Sequence, residues 1–127
     1  MMILANRLKT LADIDRLRIL GLCARADLTL CELAEILDLP RKRVERHIAV
    51  LVAANLVSCN GQCPRSSYHL SGRPEDGGLL ESLVDLIPHD RGCHYRDLRR
   101  LTAKRSADPR YGRMEWRAPA QRQPGNR

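Results

Sequence analysis

Between Thr29 and Ala54 two stretches of helical periodicity are separated by only Asp38, Leu39 and Pro40, and this spacing constrains the fold more than any other feature of the chain. In TLCELAEIL, Leu30, Leu33 and Leu37 recur at the interval that lines one side of a helix; in RKRVERHIAVLVAA, Val44, Ile48, Leu51 and Val52 do the same. Thr29 and Glu32 stand three apart where the first apolar run begins, so hydroxyl and carboxylate can satisfy each other's free backbone amides as a capping box. Pro40 suits the first position of the second helix, because the amide it lacks would be unpaired there. The second helix opens with Arg41, Lys42, Arg43 and Arg46, with His47 beside them. Two helices joined by so short a turn, the second beginning in cations, read as a helix-turn-helix whose second helix is bound for a major groove.

The flanking segments extend this reading. Leu4, Leu8 and Leu11 line one face of a first helix, and Asp13 can cap a second, DRLRILGLCAR, with Leu17 and Leu20 on a shared face widened by Ile19 and Leu22. After Asn55, a helix stop, LVSC and SSYHL flank the turn-rich NGQCPR, as in a small β-hairpin or wing. LLESLVDLI follows, with Leu80, Leu83, Val84 and Ile87 at helical spacing, and ends before Pro88. YRDLRRLTAK fits a further short, very basic helix, and the prolines among arginines beyond Ala107 predict disorder. The expected fold class is therefore mainly α: a winged helix-turn-helix, α-α-α-α-β-β-α, over residues 1–88, followed by a basic C-terminal extension over 89–127, partly helical and then disordered.

Composition narrows the function classes. Aromatic residues make up 3% of the 127, with no Phe, so the core must be aliphatic and a nucleic-acid platform of stacked rings is disfavoured. Residues 1–95 carry 12 basic and 12 acidic side chains and residues 96–127 carry 10 and 3, so the whole +7 excess lies in the extension, which can bind polyanions or simply be solvated. No apolar run approaches the roughly 20 residues of a membrane span, and Asn6, Arg7 and Lys9 interrupt any signal pattern, so a cytoplasmic protein is expected. Five cysteines in a reducing compartment are free thiols, metal ligands or redox centres rather than a disulfide scaffold. With no glycine-rich phosphate loop and no nucleophile elbow, no enzymatic activity is expected.

The stretch LKTLADIDRLRILGLCARADLTLCELAEILDLPRKRVERHIAVLVAANLV resembles the winged-helix repressors of the ArsR/SmtB family, through LADxxRLRIL, LTxCELAEIL and RVxRHxxxL followed by LV. The likeness runs over roughly residues 5 to 87. It implies a homodimer, paired through the first and last helices, that binds palindromic double-stranded operator DNA and is released by a metal, a metalloid or a thiol-oxidising signal. Residues 79 to 116 also look like the connector that joins such a regulator to a methyltransferase domain; with no such domain here, the extension is assigned no enzymatic role. Members of the family usually carry Ser where this chain has Pro40 and Glu45. Glu45 can accept from a cytosine amine or repel phosphate, so the operator cannot be borrowed from relatives.

The DNA-contacting candidates are thus Arg41, Lys42, Arg43, Arg46 and His47, together with Arg65 near the wing tip for backbone or minor groove. His47 can equally pack against the local scaffold. Among the cysteines, Cys23 lies in an apolar helix face and reads as inert. Cys59 and Cys63 flank the wing turn at a spacing that lets two thiolates meet on one soft ion, or form a disulfide, and Cys93, beside His89, Asp90 and His94, can add a third ligand. The family resemblance adds Cys31, at the last position of the C-x-C that arsenic- and metal-sensing relatives carry, with Thr29 where their first cysteine stands. Three thiolates suit As(III) or Sb(III), and two with histidine or carboxylate suit a zinc-like ion; either is an inducer, and no cofactor is required. An ion in the wing would draw Arg65 off the duplex. A thiol redox switch of the same fold, and a nucleic-acid or protein interaction module without sensing, are the alternatives.

Overall fold

The helix boundaries follow local chemistry. In the computed structural model, which describes residues 2–61, 66–71 and 78–107, the elements run α1 (Met2–Leu11), α2 (Ile14–Cys23), β1 (Leu28–Thr29), α3 (Leu30–Leu37), α4 (Arg41–Ala53), β2 (Val57–Asn60), β3 (Ser67–Leu70), α5 (Leu79–Leu86) and α6 (Gly92–Ala107). Asp13 caps α2 by accepting from the amides of Asp15 and Arg16 at 2.9 and 3.2 Å. Thr29 and Glu32 form the expected capping box at the start of α3. That helix ends on Asp38 in the left-handed region (φ 55°), and Pro40 sits at the cap of α4, one residue earlier than its sequence position suggested. Asn55, also left-handed at φ 60°, stops α4.

The sheet has three antiparallel strands in the order β1-β3-β2. β2 and β3 form the expected wing, with Val57 opposite Leu70 and Cys59 opposite Tyr68. β1, pairing Leu28 with Tyr68 and Thr29 with Ser67, is an addition to the expected order. Two residues are too few to display an alternating pattern, and Thr29 serves both as strand residue and as the cap of α3.

The winged helix-turn-helix surrounds an aliphatic core. Ile19, Leu20 and Leu22 of α2 pack with Leu33, Ile36 and Leu37 of α3, Val44, Ile48 and Leu51 of α4, and Leu56 and Val57 at the start of the wing. From α5 come Leu80 and Val84, and from α6 Leu98 and Leu101. The helix expected over residues 95–104 is longer, with 16 residues, and shares this core rather than standing apart from it. On α1 only Leu11 is buried, whereas Leu4 and Leu8 are 43% and 45% exposed and Met2 and Ile3 more so.

Polar contacts lock α6 in place. Arg18 on α2 forks onto the fully buried Asp97 at 2.8 and 2.9 Å and also donates to the Leu37 carbonyl at 2.9 Å. Arg100 donates to the Ile36 carbonyl at 2.8 Å, and Lys104 pairs with Glu35 at 2.6 Å. The last carbonyls of α3 have no partner within their own helix, so two guanidiniums satisfy them and complement the negative end of the helix dipole.

One contact is unfavourable in isolation. His94 of α6 lies against Gly21 of α2, where an added Cβ would come within 2.4 Å of the ring. Its side chain is buried, and neither ring nitrogen has a hydrogen-bond partner among the described residues. Burial, reinforced by the nearby charge of Arg25 and opposed by Asp97, pulls its pKa down from 6.5 to about 4. The folded ring is then neutral, while the unfolded chain takes up a proton between pH 6.5 and 4, so stability is lost as pH falls through that window. Replacing His94 with Leu removes two unpartnered polar atoms at similar shape. Urea unfolding at pH 7, 5.5 and 4 should show a variant at least as stable at pH 7 whose acid-induced loss is smaller by on the order of 3 kcal/mol. Parallel pH profiles for the two proteins would refute the assignment.

Candidate nucleic-acid interface

The geometry of α4 sorts its cations. With Val44, Ile48 and Leu51 buried, about 3.6 residues per turn places Lys42 and Arg46 on the opposite, exposed side. Arg41 and Glu45 lie on one flank, Arg43 and His47 on the other, and both Arg41 and Glu45 are exposed. Lys42 and Arg46 have no ion-pair partner among the described residues, so the outward face offers two cations to a ligand.

The second flank meets the N-terminal end of α2. Arg43 Nη2 pairs with Asp15 Oδ2 at 2.6 Å, and His47 Nε2 stands 3.7 Å from the same oxygen. Arg16 Nε donates to His47 Nδ1 at 3.2 Å, so a neutral His47 carries its proton on Nε2, the nitrogen that faces Asp15. Arg16 also reaches the Thr10 carbonyl at 3.1 Å, and Arg18 Nη1 lies 3.5 Å from Asp15 Oδ1. The Asp13 carboxyl sits below its usual pKa: burial pushes upward, but the amide of Arg16, the charge of His47 and the amide of Asp15 together outweigh it. Arg43 is held to the scaffold but half-exposed, and His47 packs on the scaffold with its side chain 15% exposed.

Asp13, Asp15 and His47 bring one ligand atom each within 4.8 Å of one another. Guanidiniums already occupy this cluster, with Arg43 on Asp15 and Arg16 on His47, which makes it a charge-balanced strut between helices rather than a cavity for a cation. Sequence reasoning found Asp13 as a cap and missed Asp15 and Arg16. Their partners on α4 lie 28 and 31 residues away, and the one local hint is a second acid beside a cap that needs none.

The predicted thiols among the described residues lie on three different elements. Cys31 is exposed in the first turn of α3, Cys59 is exposed on β2, and Cys93 is half-buried in the first turn of α6. Among the described residues, no cysteine belongs to a group of three potential ligands. Cys63 and Arg65 lie outside the described residues. Cys23 is buried, which pushes its thiol up to about 12 and keeps it protonated. No helix among the described residues is long and apolar enough to cross a membrane.

The chain is similar to known proteins in sequence and in fold. The model of the family described as bacterial regulatory protein, arsR family, matches residues 13–58, the span from the cap of α2 to the start of the wing. The arsenical resistance operon repressor of Bacillus subtilis (strain 168) is 33% identical over 79 residues, 61% of this chain and 75% of that protein. Two solved structures, HlyU from Vibrio cholerae N16961 and its reduced form, are each 28% identical over 68% of this chain. Their TM-scores are 0.60 and 0.59, over 92% and 90% of their own lengths.

The two outward cations give a direct test. Lys42→Ala and Arg46→Ala should each weaken binding to a preferred duplex by roughly 5- to 100-fold, the range for one lost phosphate or base contact, while leaving thermal unfolding unchanged. His47→Ala should instead lower the unfolding temperature, because it removes the acceptor of Arg16 Nε and with it the Arg16 link from α2 to α4. Full DNA affinity in both cation variants would remove α4 from the interface.

Proposed function

The chain belongs to the arsR family of bacterial regulatory proteins, and on that premise we propose that it is an operator-binding transcriptional repressor that lets go of DNA when a thiophilic inducer reaches its cysteines. The observation that carries the DNA half is the outward face of α4. Lys42 and Arg46 project from a helix pinned on its other side by Val44, Ile48 and Leu51, and Arg41 and Arg43 stand at its flanks. A helix anchored in this way can lie in a major groove with its cations divided between phosphate and base edges, and Arg65 is assigned to the backbone or minor groove.

The inducer half rests on the contrast among thiols. Cys31 and Cys59 are exposed and Cys93 is half-buried, whereas Cys23 is sequestered. Cys63 follows the exposed Cys59 by four residues in sequence, and on the reading that the two hold one soft ion, ligation there would alter the presentation of Arg65. As(III) or Sb(III) is the preferred inducer, with a zinc-like ion next, and the name of the Bacillus subtilis relative favours the metalloid. The operator is palindromic and the active species a homodimer, in which a second copy covers the exposed apolar side of α1 formed by Leu4 and Leu8. The protein works in the cytoplasm.

Fluorescence anisotropy of the reduced protein on its own upstream DNA, at fixed salt, should show tight binding that arsenite abolishes, with Cys59→Ser/Cys63→Ser retaining DNA in the presence of arsenite. Release by a thiol oxidant but not by arsenite would replace the metalloid with a redox signal. Binding without sequence preference would reduce the protein to an interaction module. In sedimentation, Leu8→Asp should convert a dimer to a monomer; an unaltered dimer would exclude α1 as its seam.

A further inference from the structure

We infer that Asp15 is a specificity-determining positioning residue: from α2, outside the helix-turn-helix, it orients the Arg43 guanidinium toward DNA and cancels its charge. The inference rests on the reading that α4 enters a groove. Arg43 places Nη2 2.6 Å from Asp15 Oδ2, yet its side chain is 52% exposed, so its fork is fixed at one end and open at the other. Asp15 is itself seated firmly. It is only 13% exposed, follows the capping Asp13, and faces Arg18 at 3.5 Å and His47 at 3.7 Å.

Two consequences follow from this geometry. A long side chain loses rotamer freedom with each contact it makes, and a guanidinium already held in place loses less when it meets DNA. An unpaired arginine also gains from any phosphate, a contribution blind to sequence. With its charge balanced by Asp15, Arg43 gains instead from hydrogen bonds that demand the right acceptor geometry, such as the paired acceptors of guanine in the major groove. Asp15 thus exchanges general affinity for discrimination.

The test uses the full chain, a duplex it selects from random-sequence DNA, and a scrambled duplex of the same composition. Asp15→Asn should weaken the selected duplex about tenfold, leave binding to the scrambled one equal or tighter, and steepen the salt dependence on the scrambled one by about one counterion. Asp15→Glu should restore part of the discrimination. Arg43→Lys, which keeps charge but loses the fork, should lose a comparable factor on the selected duplex, and Asp15→Asn with Arg43→Ala should bind it no worse than Arg43→Ala alone. Equal losses on both duplexes from Asp15→Asn, or additive losses in the double variant, would overturn the inference and leave Asp15 a purely structural strut. If wild-type protein enriches no sequence, the DNA-binding reading fails as well, an outcome distinct from discrimination that survives Asp15→Asn.

Discussion

Arg18 joins three helices with one guanidinium. It forks onto Asp97 of α6, whose side chain has no solvent exposure, and donates to the Leu37 carbonyl at the end of α3. The hydrogen bond to Asp97, opposed by partial burial and helped by the charges of Asp97, Cys93 and Asp15, holds the Arg18 pKa above its usual value. A carboxylate without solvent is tolerable only when its partner is present, and removing one member of such a pair typically costs about 3–5 kcal/mol. The aliphatic core supplies area but little direction. The fork and the carbonyl bond fix how α2, α3 and α6 meet, and the angle at which α3 feeds its short turn into α4 depends on that meeting.

α2 is consequently a frame with two working ends. Its C-terminal half receives α6 through Gly21, where only a missing side chain leaves room for His94, and Arg18 at its midpoint adds the fork onto Asp97. Its N-terminal turn receives α4 through Asp15 and Arg16. α4 is therefore oriented by apolar contacts beneath it and by ion pairs along one flank. Arg41, on the other flank, has no such partner among the described residues.

How much of this was legible follows from the range of each interaction. The capping box, the stop at Asn55 and the apolar spacing of α3 and α4 act within a turn or two of helix, so the helix-turn-helix could be read directly from Thr29, Glu32, Val44, Ile48 and Leu51. For α1 the same spacing misled in part. Periodicity shows that Leu4, Leu8 and Leu11 share a face but not that the chain's own core reaches only Leu11. β1 was too short to leave a pattern, and α6 looked like a basic appendage because Leu98 and Leu101 are sparse among cations. The strut from Asp15 to Arg43 joins residues 28 apart and could emerge only from coordinates.

That strut changes the meaning of the formal charge. The +7 excess is concentrated after residue 95, yet Arg100 is committed to the Ile36 carbonyl and Lys104 to Glu35. On α4 and beside it, Arg16 is engaged by His47 and the Thr10 carbonyl, and Arg43 is balanced by Asp15. Counting charges overstates what α4 and its surroundings offer to phosphate, since a cation already paired releases fewer counterions when DNA arrives. In the proposed complex, discrimination between sequences then falls to a small set on α4: the outward Lys42 and Arg46, the balanced Arg43 on one flank and Glu45 on the other. Glu45 carries the opposite sign, and with α4 in a groove an acid on that flank would weaken every complex in which no base donor meets it. A face that combines two cations without an ion-pair partner among the described residues, one balanced arginine and one acid is poorly suited to binding any duplex and better suited to recognising one.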